Sequence, residues 1–580
     1  DQTFTQTDRI IIGLFSLMAI FAFFCNLGLN NVWTPNESFY AEAAREMWES
    51  GNFIEVFYNY EPRFNKPIMI YWEVLASTAI FGMNEFAIRF PSALAGLGTI
   101  YLVYRMGQLL EGRHLCIIAA MIMTFSFQFA INARYAAPAI SLTFFFALTI
   151  YWFLKGYHRE QFKYIFLSYL ALGLTILTKG YPYLIIIGAI IVFYILLDQR
   201  FKWKPFFKKL GSLRLHIGLP ISIVIGMTWI IYMYATYGQE FWDIFMMETF
   251  ERAFTRENEG LKPFFYLEAN IWGFLPYSLT FYFGLIYLLV KKFRGFFESE
   301  VLKIGGAWFL VMLVIFTASK GKIPTYFIQG YPGMSLFTAF FVVKMADYAR
   351  GWKSLFRLSF WLPGVLFVAG GFLIIFTFPA SYFLLLVAVL PIVLLVIGYR
   401  KNIPLLQAKS LPFTGFASTY ILFSLVVFPF VEDGYRNHDQ IGQAILERVP
   451  DKSIPLMAEG FKPWNLCYYA QRKTYPELSQ EEIKAKAGEG PLLALIPKSS
   501  LEDYGSVEVL WEGLIYTGSE SRTLELILDV MKDRRGEDTR FKTFCVIYQP
   551  GGQQSQHSVL QPDTISDLFK FIPLMVIRIL

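Results

Sequence analysis

The side chains best suited to chemistry in this chain are cations placed directly beside apolar runs. Lys179 closes the run LTILTK, and Lys320 and Lys322 follow the run ending at Ala318 in ASKGKIPTYF. Arg134 lies in NARYA, Arg63 and Lys66 in PRFNKP, and Arg252 beside Glu251 in METFERAF. Lysine and arginine in such positions bind phosphate oxygens strongly, because little water competes. Snorkelling from span ends would use the same residues singly. Taken as a set, they predict the handling of a phosphate-bearing lipid.

A carboxylate accompanies them in the stretch 33–72. Thr34 and Glu37 stand three apart, as in a capping box, and Pro35 falls at a first helical position. The spacing predicts a helix over 35–50, ended by Ser50-Gly51. Glu37, Tyr40, Ala41, Ala44, Arg45 and Trp48 would share one face of it. Glu37 is then either a helix cap or a base for an acceptor hydroxyl. Tyr40, Arg45, Glu251 and Arg252 are further candidates for a polar ligand pocket. Tyr40 and Tyr326 also fit ordinary interface aromatics. The apolar segment 67–81 has about fifteen residues against the roughly twenty needed to cross, so it reads as an interfacial helix.

The elements that must hold these residues are membrane spans. The chain has 580 residues, of which 55% are hydrophobic, 18% aromatic and only 17% charged. Apolar runs recur from Ile10 to Phe430. This excludes a string of soluble domains and predicts an all-α polytopic membrane protein with about thirteen transmembrane helices. They fall at 10–29, 89–108, 115–131, 140–155, 163–178, 181–197, 217–236, 270–290, 303–318, 323–343, 357–377, 380–398 and 411–430. The first lacks a small-residue cleavage site and reads as a retained span. The net charge of +6 is spread between spans, where membrane topology explains it, and nothing points to nucleic acid.

Basic clusters such as Lys155/Arg159/Lys163, Arg200 to Arg214, Lys291/Lys292/Arg294 and Arg350/Lys353/Arg357 occupy alternate loops. By the positive-inside rule these are cytoplasmic. The region 33–88, Arg134, Lys179, 237–269, 319–322 and everything after Phe430 then lie outside.

Two domains follow: a transmembrane domain over 1–430 and a soluble α/β domain over 431–580. HDQIGQAILERVP, PWNLCYYAQRK and TLELILDVMKD read as helices, and SIPLMAEG, PLLALIPK and TFCVIYQPG as strands. The apolar end DLFKFIPLMVIRIL is too short to span. Cys25 and Cys116 read as packing residues, while Cys467 and Cys545 could pair in an extracytoplasmic tail. No spacing resembles a metal site, so a divalent metal has no support in the sequence.

In order along the chain, PNESFYAEAAREMWESGNF, RFNKPIMIYW, FGMNEFAIRFPSALAGL, NARYA, LTKGYP and SKGKIPTYFIQGYP resemble the C-type integral-membrane glycosyltransferases. The nearest branch holds the protein O-mannosyltransferases and the bacterial lipid A aminoarabinose transferase. The resemblance covers the first 430 residues or so. It implies a polytopic enzyme of the bacterial inner membrane, with its site and C-terminal domain on the periplasmic side. It implies sugar transfer from a polyprenyl phosphate to a lipid or glycan acceptor, with inversion. Lys66 matches the family lysine that binds donor phosphate, and Tyr326 a tyrosine near the donor. Asn36 and Glu37 match the acidic pair assigned to catalysis, in which the first position is commonly Asp. The chain also has Phe39 where an arginine is common, Asn65 where a Glu is common, and Pro138 or Ala139 where a further Asp is common. Protein O-glycosylation and polyprenyl-lipid flipping remain as rival readings. A flippase, however, would be expected to show internal repeats and mid-membrane charges.

Overall fold

The computed structural model describes residues 6–251 and 263–550, apart from 294, 379–381, 402, 489, 519 and 521–522. Among the described residues nine helices are long and apolar enough to cross a membrane, from Glu85–Leu110 to Leu411–Glu432. Shorter apolar helices at Ile12–Phe24, His114–Thr124, Pro182–Asp198 and Ser278–Val290 occupy the remaining expected spans. Met69–Phe81 has 13 residues. At 1.5 Å per residue it covers about 20 Å, short of the roughly 30 Å of a hydrocarbon core.

Small residues set the closest helix approaches. Gly173 lies against Ile225, and a Cβ on Gly226 would come within 2.4 Å of Ile176. A Cβ on Gly218 would overlap the Tyr169 ring at 1.9 Å. Glycine is therefore what allows Phe162–Lys179 and Leu215–Met246 to pack backbone to backbone. The long helix is interrupted at Gly238, whose φ of 59 and ψ of -133 leave the helical region. Beyond that break the segment 239–246 turns back over the stretch 53–66, where Phe241 packs edge-on against Phe64 with ring centroids 5.4 Å apart.

The helix Asn36–Ser50 ends at Gly51 in the left-handed region, as its sequence predicts. Its start differs from expectation. The Thr34–Pro35 peptide is cis, Pro35 takes the N-cap position, and no side chain caps the helix. Thr34 instead donates its N–H and Oγ1 to Glu520, each at 3.0 Å. Charged partners elsewhere have claimed both members of the expected capping box. The helix is buried on nearly every side, including Glu42, Arg45 and Glu46, because the C-terminal domain covers the face opposite Met69–Phe81.

In that domain a five-stranded sheet runs β4-β3-β5-β7-β6, where β3 is Leu456–Glu459, β4 Thr474–Leu478, β5 Leu492–Pro497, β6 Glu508–Tyr516 and β7 Phe541–Gln549. The short hairpin 57–62 supplies β1 and β2. β3 pairs in parallel with β4 and β5, while β7 runs antiparallel to β5 and β6. The expected helices and strands are present. β4, β6 and the helix Gln480–Ala487 were not among them. Both missed strands are sheet edges, where Pro476, Glu508 and Glu512 dilute the apolar alternation. The end DLFKFIPLMVIRIL lies outside the described residues.

Cys467 and Cys545 are both buried and unpaired, which corrects the expected disulfide. Cys545 packs in the sheet with Met457 and Ile483, while Cys467 lies against the Trp464 carbonyl.

Further polar contacts fasten this domain to the chemistry-bearing stretch. Arg436, fully buried, donates to Glu520 at 3.1 and 3.0 Å, to Glu432 at 2.8 Å and to the Asn31 and Val32 carbonyls. At the hairpin, the Asn59 amide pairs with β4 like an extra strand, donating to Thr474 O at 2.8 Å and accepting from Thr474 N at 2.7 Å. Tyr58 OH donates to Trp464 O at 2.7 Å.

Candidate active site

A cavity of about 440 Å³ lies where Lys179 ends one helix and Pro182 begins the next. Asn65, Lys66, Pro67, Glu248 and Thr249 form one wall, and Phe316 to Tyr326 close the other. Its polar groups gather at one end and its apolar ones along Ile185, Ile186, Val314 and Ile315. Ile185 and Val314 are 64% and 66% exposed on span helices, so the cavity opens sideways through the wall of the bundle.

Two of the predicted cations line this space. Lys66 Nζ stands 3.4 Å from Glu248 Oε2 and donates to the Asn65 carbonyl at 3.0 Å. Lys179 Nζ lies 4.5 Å from the centre of the Tyr326 ring and 5.9 Å from that of Tyr183. Ser319 and Gly321 line the cavity, while Lys320 and Lys322, next to them in the chain, are not in the lining. Tyr326 is in the lining.

Arg63 sits one layer back, its guanidinium 3.9 Å over the Phe39 ring. Tyr40 is also behind the wall, its ring centroid 5.5 Å from that of Tyr71. Burial raises the Tyr40 phenol well above its ordinary range, so it stays protonated and acts as a donor or a packing ring.

Other expected site residues lie outside the cavity lining. Glu37 is 0% exposed and does not reach the cavity. Its carboxylate accepts from Arg89 Nε at 2.9 Å and Nη2 at 2.7 Å, from Trp33 N at 2.9 Å and from Ala136 N at 2.8 Å. Arg89 in turn donates to the Leu27, Asn30 and Asn31 carbonyls. A carboxylate so filled has no lone pair for an acceptor hydroxyl; it is a junction tying four chain segments together. Its neighbour Asn36 is exposed and outside the lining.

Arg134 is buried and donates to the Ala22 carbonyl at 2.8 Å, away from the cavity lining. Arg45 is held by Glu42 through two bonds of 2.7 Å and by Glu49 at 2.6 Å, under the C-terminal domain. Beside it, burial and then the charge of Glu42 push the Glu46 carboxyl up to about 8. The Glu251 side chain and Arg252 lie outside the described residues.

The sequence reading missed Glu248, Tyr183 and the partnership of Arg89 with Glu37. Glu248 is one helical turn before Glu251, in a segment already marked by its charges. Arg89 is in FAIRF, hidden inside what reads as a span start. Among the described residues no group of His, Cys, Asp and Glu has the arrangement of a metal site.

The cavity thus joins an apolar side to an end that carries Lys66 and Lys179. Residues 10–245 match the family model described as dolichyl-phosphate-mannose-protein mannosyltransferase. An uncharacterized protein of Aquifex aeolicus is 32% identical over 528 residues, covering 90% of this chain and 97% of its own. The undecaprenyl phosphate-alpha-4-amino-4-deoxy-L-arabinose arabinosyl transferase 1 of Proteus mirabilis is 27% identical over 350 residues, 59% of this chain and 61% of that one. The match thus spans about three-fifths of the length of that transferase. In three dimensions the chain superposes on the ArnT of Cupriavidus metallidurans, solved bound to undecaprenyl phosphate. The TM-score is 0.70 at 18% identity, over 93% of this chain and 98% of that one. The fold is therefore that of the C-type membrane glycosyltransferases. The chain belongs to their ArnT-like family.

Proposed function

We propose that the chain transfers a sugar from a polyprenyl-phosphate donor to an envelope glycolipid such as lipid A, at the periplasmic face of the bacterial inner membrane. The observation that carries this reading is the cavity, which joins an apolar side opening at Ile185 and Val314 to a cationic end at Lys66 and Lys179. A polyprenyl tail fits the first and a phosphodiester the second. The lipid phosphate is the leaving group. Lysines that neutralise its charge as the anomeric C–O bond breaks supply catalysis through electrostatics. Attack by the acceptor from the opposite side of the sugar inverts the anomeric carbon.

The distribution of charge supports this sidedness. The cavity lies at the Pro182 end of Pro182–Asp198, whose 17 residues set its other end about 25 Å away. There the short helix Trp203–Ser212 carries Lys204, Lys208 and Lys209, with Trp203 and Phe207 exposed beside them. A basic helix with exposed rings between two spans fits a cytoplasmic interface.

Purified protein in liposomes, given a polyprenyl-phosphate sugar and lipid A, should yield glycosylated lipid A and free polyprenyl phosphate. Translocation of the donor with no new glycosidic bond would overturn the reading in favour of a flippase. Transfer to a protein alone would replace the acceptor. For sidedness, Lys320→Cys should react with an impermeant maleimide in spheroplasts and Lys204→Cys only after lysis. The reverse pattern would invert the orientation.

A further inference from the structure

We infer that Glu248 is the general base of the transfer and that the acceptor group is a hydroxyl. This rests on the cavity being the donor site. Among the described residues Glu248 is the carboxylate in the cavity lining, and it sits 3.4 Å from Lys66, the lysine facing the donor phosphate. Glu37, the carboxylate that the sequence offers, is sealed behind four hydrogen bonds. Glu248 lies in the π-helical segment Met247–Glu251, which continues the helix beyond its break at Gly238.

A bound phosphodiester competes with Glu248 for Lys66, because both are anions that pair with the same ammonium. Binding of the donor releases the carboxylate beside the reacting carbon. In the transfer step the acceptor O–H gives its proton to Glu248, and the acceptor oxygen forms the bond to the anomeric carbon. The bond from that carbon to the phosphate oxygen breaks, and its electron pair leaves with the polyprenyl phosphate, opposite Lys66 and Lys179. A phosphate acceptor is already ionised at neutral pH and needs no base. It would also bring a further anion up to Glu248. A carboxylate at this position therefore selects a neutral hydroxyl nucleophile.

Among the described residues, the charged and titratable groups around Glu248 include Lys66, Lys179, Tyr183 and Tyr326 in the cavity lining and Tyr40 behind it. The test is single-turnover transfer by the full-length protein with Glu248→Gln and Glu248→Asp, using acceptors that offer only a hydroxyl or only a phosphate. Glu248→Gln should lower kcat for the hydroxyl acceptor by about 10²–10⁴-fold and abolish the acidic limb of its pH profile. It should bind donor at least as tightly as the native protein, since the competing carboxylate is gone. Glu248→Asp should restore part of the rate. A Glu248→Gln protein that keeps its kcat, or a native protein that uses only the phosphate acceptor, would overturn the inference and leave the donor site intact. Failure of the donor site itself would show separately, as a Lys66→Ala protein that still binds and transfers.

Discussion

Replacing Lys66 with alanine should lower kcat by about 10²–10³-fold, the loss typical of removing one preorganised donor to a developing anion. Affinity for the polyprenyl-phosphate donor should fall with it, because Lys66 faces the ground-state phosphate as well as the leaving group. Lys66→Arg keeps the charge on a planar, wider head, so it should recover only part of the rate. Lys179→Ala should reproduce the defect in weaker form, since the Lys179 ammonium is shared with the Tyr326 ring at 4.5 Å. Single-turnover kinetics with donor-binding measurements would check both. Unchanged donor affinity in Lys66→Ala would mean that the phosphate lies elsewhere.

The second large effect is expected at a residue pair outside the cavity lining. Arg89→Leu leaves the Glu37 carboxylate buried without its guanidinium and should cost about 3–5 kcal/mol of stability. Glu37→Gln leaves Arg89 charged and unpaired in the same place and should cost a similar amount. The double change Glu37→Leu with Arg89→Leu should recover much of that loss, because an apolar pair removes both buried charges at once. Thermal unfolding in detergent reads this directly. If Glu37 were the base instead, Glu37→Gln would keep its unfolding temperature and lose about 10²–10⁴-fold in rate.

These two sites show what could be read from the residues and what could not. Membrane spans are legible because bilayer thickness dictates the length of an apolar run; nine of the expected spans have a helix long and apolar enough to cross, and shorter apolar helices lie at the others. Lys66, Lys179 and Tyr326 are legible because cations and aromatics beside apolar runs contradict simple burial. Glu37 misled because three-residue spacing describes a helix's own turn. The partners that claimed Thr34 and Glu37 lie 486 and 52 residues away in the chain. Arg134 misled for the same reason, its guanidinium having been taken by a carbonyl 112 residues distant. Glu248 escaped notice because nothing local separates it from Glu251; only the turn back over Lys66 gives it a role.

The claim on which the rest depends is that a polyprenyl phosphate enters through the side opening and ends at Lys66 and Lys179. A photoreactive polyprenyl phosphate, crosslinked to the purified protein and mapped by mass spectrometry, tests it most directly. The account predicts adducts within 182–186 and 314–319, lost on competition with undecaprenyl phosphate and reduced by Lys66→Ala. Adducts confined to other helices, or unaffected by competitor, would contradict it.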